Sequence, residues 1–236
     1  MNFANVKSVT IPEGAVAKIT AGGNTIWQKV TSKLPKEYQE LESIESNGSA
    51  AIVTDIVYND YTGTGQGLIV SAKIMWLGEN TDARYFCSMY SPVKSWFHIE
   101  DGYYATTQRE AWLKSSVKAK ANEIIEIEGR VSYDYNGYIK VNGETILSGS
   151  RNYGSINFEP ANLYLCGYNY NGIQISGWGW AGRCYYSTIK DTSDNLLGEF
   201  IPCYRKSDGE IGLYNLVTNT FCAKTGSGIL TKGADV

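Results

Sequence analysis

Between residues 168 and 180 the chain concentrates side chains suited to holding a polyhydroxylated ligand. Tyr168, Asn169, Tyr170 and Asn171 are followed by Gly172, and Gly177-Trp178-Gly179-Trp180 closes the stretch. Flat aromatic bodies with a polar handle serve wet binding surfaces. Amides bond hydroxyls as donor and as acceptor, and glycine lets a backbone approach a ligand closely. The chemistry on offer is stacking of Trp178 and Trp180 on the C–H faces of a sugar, with Tyr168, Tyr170, Asn169 and Asn171 around them. The same indoles could instead cover the end of a fold or an oligomer contact, and the sequence leaves both open. Tyr103 and Tyr104, beside Asp101-Gly102, form a second aromatic loop expected to be exposed.

Catalytic chemistry is harder to find. Glycan hydrolysis needs two carboxylates across a cleft. The nearest set is Glu123, Glu126 and Glu128; Glu126 and Glu128 share a strand face, but their alternation with Ile125 and Ile127 turns that face to solvent. Glu123 falls on the other face. His98 lies near Glu100 and Asp101 without a nucleophile motif such as G-x-S-x-G. No catalytic residue is assigned, and the chain is expected not to be an enzyme.

No cofactor or metal is assigned either. The five cysteines, Cys87, Cys166, Cys184, Cys203 and Cys222, contain no C-x-x-C pair. Their odd count argues against a disulfide framework, and each is expected to be a small buried hydrophobe. His98, the one histidine, cannot complete a Cys/His zinc set at ordinary ligand spacing. Asp55, Asp60 and Asp82 are too scattered to assign calcium, and no EF-hand-type loop is present.

The elements that must carry these groups are strands. Leu68, Val70, Ala72, Ile74 and Trp76 alternate with Ile69, Ser71, Lys73 and Met75, a period of two. Ile125 and Ile127 alternate with Glu126 and Glu128, and Val131, Tyr133 and Tyr135 with Arg130, Ser132 and Asp134. Asn136-Gly137 and Asn142-Gly143 flank Tyr138 to Val141, so two type I′ turns and a three-strand meander are expected. Further strands are expected at 84–90, 95–99, 163–167, 183–190, 197–204, 211–216 and 220–223. Lys36 to Ser43 is the one weakly helical stretch. Short strands at this spacing predict a sandwich or barrel.

Residues 1–30 read as a small β module. Pro12-Glu13-Gly14 marks a turn and Gly22-Gly23-Asn24 a hairpin between Ile19 and Ile26-Trp27. So few strands are not stable alone, so Ile26 and Trp27 are expected to make an attachment or oligomer contact. The main domain is expected over 34–236.

Composition agrees with a folded β protein. Of 236 residues 43% are apolar, and Gly (25) and Tyr (18) are abundant, as many strands with tight turns require. The net charge of -3 is spread along the chain without a basic stripe, so a nucleic-acid partner is not expected. No apolar run spans a bilayer. The N-terminus lacks the pattern of a secretory signal, so synthesis in the cytoplasm is expected.

From Leu34 onward the chain resembles a family of phage and prophage structural proteins from gut bacteria with a laminin-G-like jelly roll. The opening LPKEYQELESIESNGSAAIVTDI is similar to the family's opening segment, and YNGYIKVNGETIL to its x-N-G hairpin. The closing NLLGEFIPCYRKSDGEIGLYNLVTNTFCAKTGSGILTKG is the most specific part. Residues in VKSVTIPEGAVAKITAGGNTIWQK resemble small β modules at the start of tail-associated phage proteins. The chain departs from the family at Ala50 to Asp55, where the family carries Q-Y-I-D-T-G, and in Trp178 and Trp180. The resemblance implies an all-β, antiparallel jelly-roll sandwich of the concanavalin A/laminin-G type. It also implies a non-catalytic virion component (tail, fibre or head decoration) made in the host bacterial cytoplasm. Its partners would be other virion proteins, further copies of itself, and host or mucosal glycans, with no membrane. The rival reading is a carbohydrate-active enzyme or cell-surface lectin of the same fold.

Overall fold

A computed structural model describes residues 18–21, 24–28, 32–58, 67–78, 84–89, 94–108, 111–132, 136–150, 161–170, 173–174 and 176–236. In chain order the strands are β1 (Lys18–Ala21), β2 (Asn24–Gln28), β3 (Tyr38–Glu40), β4 (Ile44–Asn47), β5 (Ala51–Val57), β6 (Gly67–Trp76) and β7 (Arg84–Met89). Then come β8 (Lys94–Glu100), β9 (Tyr103–Gln108), β10 (Ala111–Lys118), β11 (Ile124–Ser132), β12 (Asn136–Val141), β13 (Glu144–Ser150) and β14 (Asn162–Leu165). The last are β15 (Asn169–Tyr170), β16 (Ile173–Gln174), β17 (Ala181–Asp191), β18 (Leu196–Arg205), β19 (Ile211–Asn215), β20 (Thr220–Thr225) and β21 (Leu230–Lys232).

Two antiparallel sheets face each other. One runs β13-β12-β11-β6-β17. From β17 it branches, through Ser187–Lys190 to β18 and through Ala181–Cys184 to β4. The other runs β10-β9-β8-β7-β14-β5. β20 joins them: Thr220–Ala223 pair with β19, while Lys224 and Thr225 pair with β5. A strand shared in this way closes one side of the sandwich without leaving a bare edge.

The core follows from the period-two pattern. Leu68, Val70, Ala72 and Ile74 of β6 and Ile125 and Ile127 of β11 are buried against Phe86 of β7 and Phe97 and Ile99 of β8. Each fully buried aliphatic side chain of this kind contributes about 1.5–3 kcal/mol. Trp96 ties the layers together, since its indole N–H donates to the Leu68 carbonyl at 3.0 Å. Gly129 of β11 leaves room for the β8 backbone. A Cβ there would stand 2.5 Å from the Trp96 carbonyl oxygen.

Three expectations need correction. Lys36 to Ser43 is not helical: a turn at 36–37 leads into β3, which pairs with β18. Tyr38 stacks on Phe221 at 5.3 Å and meets Tyr214 at 4.9 Å, so packing on the sheet overrides a weak local preference. Asn136-Gly137 is not a turn. Both residues lie in β12, paired with Ser150 and Gly149; residues 133–135 lie outside the described residues. Asn142-Gly143 does turn the chain, with both φ angles positive (49° and 83°), as type I′ requires. Tyr104 is buried in β9 rather than displayed on a loop.

In the N-terminal region β1 and β2 pair as a hairpin, with Ile19 opposite Trp27. Residues 1–17 and the side-chain contacts of Ile26 and Trp27 lie outside the described residues.

Candidate functional site

The aromatic segment becomes an end loop braced by backbone bonds. The N–H groups of Gly177 and Gly179 both donate to the Gly48 carbonyl, at 3.0 and 2.9 Å. Ser49 and Ser176 hydroxyls bond each other at 2.8 Å. The Tyr85 N–H donates to the Trp178 carbonyl at 3.0 Å, and the Trp180 N–H to the Cys166 carbonyl at 3.2 Å. Gly179 has to be glycine, because a Cβ there would lie 2.9 Å from the Gly48 carbonyl oxygen. These bonds tie the loop to the turn after β4, to β7 and to the end of β14, so Trp178 is pre-positioned rather than adaptable.

The two indoles separate. Trp178 is 43% exposed, whereas Trp180 is 1% exposed and meets Phe86 edge-on at 5.7 Å. Trp180 is therefore a core residue, and the expectation that it shares an exposed platform is corrected. Alternation decides this: Trp180 leads into β17 with its side chain inward. Tyr168 and Asn169 are buried as well. Tyr168 backs Trp178 from below, with ring centroids 5.5 Å apart. The Asn169 amide donates to the Asn162 carbonyl at 3.0 Å, so it braces the loop instead of facing a ligand. The Tyr170 side chain and the whole of Asn171 lie outside the described residues. The second aromatic loop is a strand: Tyr103 lies under Lys114 and Lys118, at 5.3 and 5.5 Å from its ring centre.

Beneath Trp178 the rings continue inward. Tyr85 is parallel to Trp178, 4.5 Å from Tyr168 and 4.7 Å from His98. His98 is fully buried, and burial lowers its pKa from the ordinary 6.5 despite the opposing pull of Glu100. This histidine is a packing element of the ladder.

A second feature, not singled out from the sequence as a site, lies on the outer face of the β6–β11 sheet. A groove of about 330 Å³ is lined by Ser71, Glu126, Glu128, Lys140, Gly143 and Tyr186, among others. Glu128 accepts from Tyr138 Oη at 2.7 Å, Lys140 Nζ at 2.9 Å and Ser71 Oγ at 3.3 Å. Burial alone would raise the Glu128 carboxyl, but these bonds outweigh it and hold its pKa below the ordinary carboxylate value. A general acid for glycoside cleavage needs the reverse shift, so Glu128 is not tuned for that role. Burial and the nearby Glu126 charge raise the Tyr186 phenol.

Among the described residues no group of three His, Cys, Asp or Glu side chains is placed to hold a metal ion. The Asp55 oxygens accept from Asn215 Nδ2 at 3.0 Å and from the Thr218 hydroxyl; Asp60 and Asp82 lie outside the described residues. All five cysteines are buried and unpaired.

No protein-family profile matches the chain, and no curated protein matches it in sequence. Solved structures do match in shape. A provisionally named carbohydrate-binding protein from Bacteroides ovatus aligns over 84% of this chain and 62% of its own, with a TM-score of 0.56 and 11% identity. This chain thus spans less than two thirds of that protein. A heptameric SAP-like pentraxin from Limulus polyphemus aligns over 83% of this chain and 96% of its own, with a TM-score of 0.52 and 9% identity. Domains LG4-5 of the mouse laminin α1 chain align over 72% and 48%, with a TM-score of 0.45 and 10% identity. At such identities the likeness is one of fold. The class is an antiparallel jelly-roll β-sandwich of the concanavalin A/laminin-G type.

Proposed function

We propose that this chain is a non-catalytic virion protein (a phage tail, fibre or head-decoration component) whose jelly roll binds host-surface or mucosal glycans through Trp178. The observation that carries the reading is the Trp178 indole: half-exposed, backed by Tyr85 and Tyr168, and fixed by paired backbone bonds to Gly48. A rigid aromatic plate binds sugar C–H faces with little ordering cost. The carbohydrate-binding name of the Bacteroides neighbour and the heptameric state of the Limulus pentraxin support a glycan ligand and a many-copy assembly. The resemblance of residues 195–233 to phage closing segments supports the particle.

One indole makes a weak site, so useful affinity comes from many copies acting together. Residues 1–30, with Ile26 and Trp27, attach the domain to other virion proteins or to further copies of itself. The protein is made in the host cytoplasm and leaves by lysis, with no nucleic-acid or membrane partner. Mass spectrometry of particles purified from a lysed producer culture tests the placement. The chain is expected in stoichiometric amount in the particle fraction. Recovery on intact producer cells instead would favour the cell-surface lectin.

A further inference from the structure

β17 carries an irregularity opposite the groove. Cys184 pairs with Ile74, and the next pair is Tyr186 with Lys73, so Tyr185 is an extra residue. Cys184 and Ser187 are both fully buried, while Tyr185 and Tyr186 are half-buried. The bulge therefore turns two consecutive tyrosines to the outer face, where strict alternation would have sent one of them into the core. Bulges commonly re-aim side chains beside functional sites. Here they bring Tyr186 to the groove beside Glu126, and Tyr185 under Lys73, whose Nζ lies 5.7 Å from the ring centre.

Within the lining, Lys140 bonds Glu128 at 2.9 Å; Glu126 is faced across the strand pair by Lys73, which stands beside the lining rather than in it, so these four charges cancel over this patch of the sheet face. Balanced charge gives a small anion or cation no net attraction. A neutral ligand with many hydroxyls and flat C–H faces uses every group present: carboxylates accept, ammonium groups donate, and phenol rings stack.

We propose that this groove is a glycan subsite separate from Trp178, taking a neutral pyranose segment against Tyr186, with hydroxyls held by Glu126 and the Lys140–Glu128 pair. It rests on the reading of the domain as glycan-binding, but not on the end loop. The two sites are set apart along the sheet, since Ala181 to Tyr186 covers four ladder steps once the bulged residue is discounted, roughly 13 Å.

Calorimetric titration of the full-length chain with cellohexaose, maltohexaose and laminarihexaose, and with polygalacturonate as an anionic probe, tests this. The parent and a W178A chain are compared, so that binding left in W178A reports the groove. At least one neutral hexaose is expected to bind the W178A chain. Adding Tyr186→Ala or Glu126→Gln should weaken that binding by about tenfold or more. Glu126 is exposed, so E126Q decides the matter if Y186A fails to fold. Binding by the parent that vanishes in W178A overturns the groove and leaves the end loop standing. Binding that survives W178A and is lost in Y186A or E126Q supports the groove, whatever the end loop does. Equal binding by folded E126Q and Y186A chains, preference for polygalacturonate, or no neutral hexaose bound by the parent each overturns the proposal.

Discussion

The rings of Tyr85 and Trp178 lie 1° from parallel with centroids 6.2 Å apart, and the Tyr85 N–H donates to the Trp178 carbonyl at 3.0 Å. A buried ring and its own backbone thus hold an exposed indole in one orientation. Support comes from the second sheet through β7, while the indole itself belongs to the loop entering β17. The platform exists only where the two sheets meet.

Support and platform should separate on mutation. Tyr85→Ala removes a buried aromatic and should cost about 3–5 kcal/mol of stability. Trp178→Ala loses a half-exposed ring and should cost roughly 1 kcal/mol or less. Urea unfolding of both variants measures this, and an equal cost would make Trp178 a structural plug.

Gly129 tests how tightly the layers approach. Gly129→Ala drives a methyl into the Trp96 carbonyl of the opposite sheet. Overpacking of this kind should cost about 1–3 kcal/mol. A variant as stable as the parent would mean that the sheets can part at little cost.

The strands and the sandwich were legible in the sequence because burial on one face imposes a period of two. Leu68 to Trp76 shows that pattern and forms β6 as expected. The burial of Trp180 and Tyr104 is not legible locally, because Gly-rich and Asp-Gly surroundings suit exposure as well, and burial depends on what the other sheet brings opposite them. The strand within Lys36 to Ser43 is not legible locally, because Tyr38 takes its conformation from Tyr214 and Phe221, which are remote in sequence. The groove was not legible for a similar reason. Glu126 and Glu128 do turn to the outer face, but Glu128 is half-buried under its three donors, and the bulge that adds Tyr186 depends on pairing with β6.

His98 should make stability depend on pH. Burial holds its folded pKa below the ordinary 6.5, so the unfolded chain binds more protons as pH falls past that value. The neutral ring's contribution is complete above 6.5 and declines below it. The Glu128 shift acts in a lower window: its folded pKa lies below the ordinary 4.5, and its contribution is lost as pH falls through the folded value. Unfolding free energies measured from pH 7.5 to 5 should slope downward in the parent and flatten in His98→Gln. A slope unchanged in that variant would contradict the assignment.

The thiols should be silent in the folded chain. Burial raises the pKa of Cys203 and Cys222 to about 12, and burial also pushes Cys87 well above its ordinary value. For Cys184 the hydrogen bond with Cys166 comes first and burial adds to it. Ellman's reagent should titrate none quickly under native conditions and all five in denaturant. Rapid native reaction, or fewer than five in denaturant without reductant, would contradict this.

Glycan recognition by the end loop is the central claim. Its most direct measurement is a glycan array probed with the full-length chain in multimerised form, parent beside Trp178→Ala. The account predicts that the parent binds a defined set of glycans. The folded variant should lose that signal by about tenfold per site, in keeping with an aromatic contact of roughly 1–2 kcal/mol. A folded variant that retains the parent's full pattern and intensity, or a multimerised parent that binds no glycan, would contradict it.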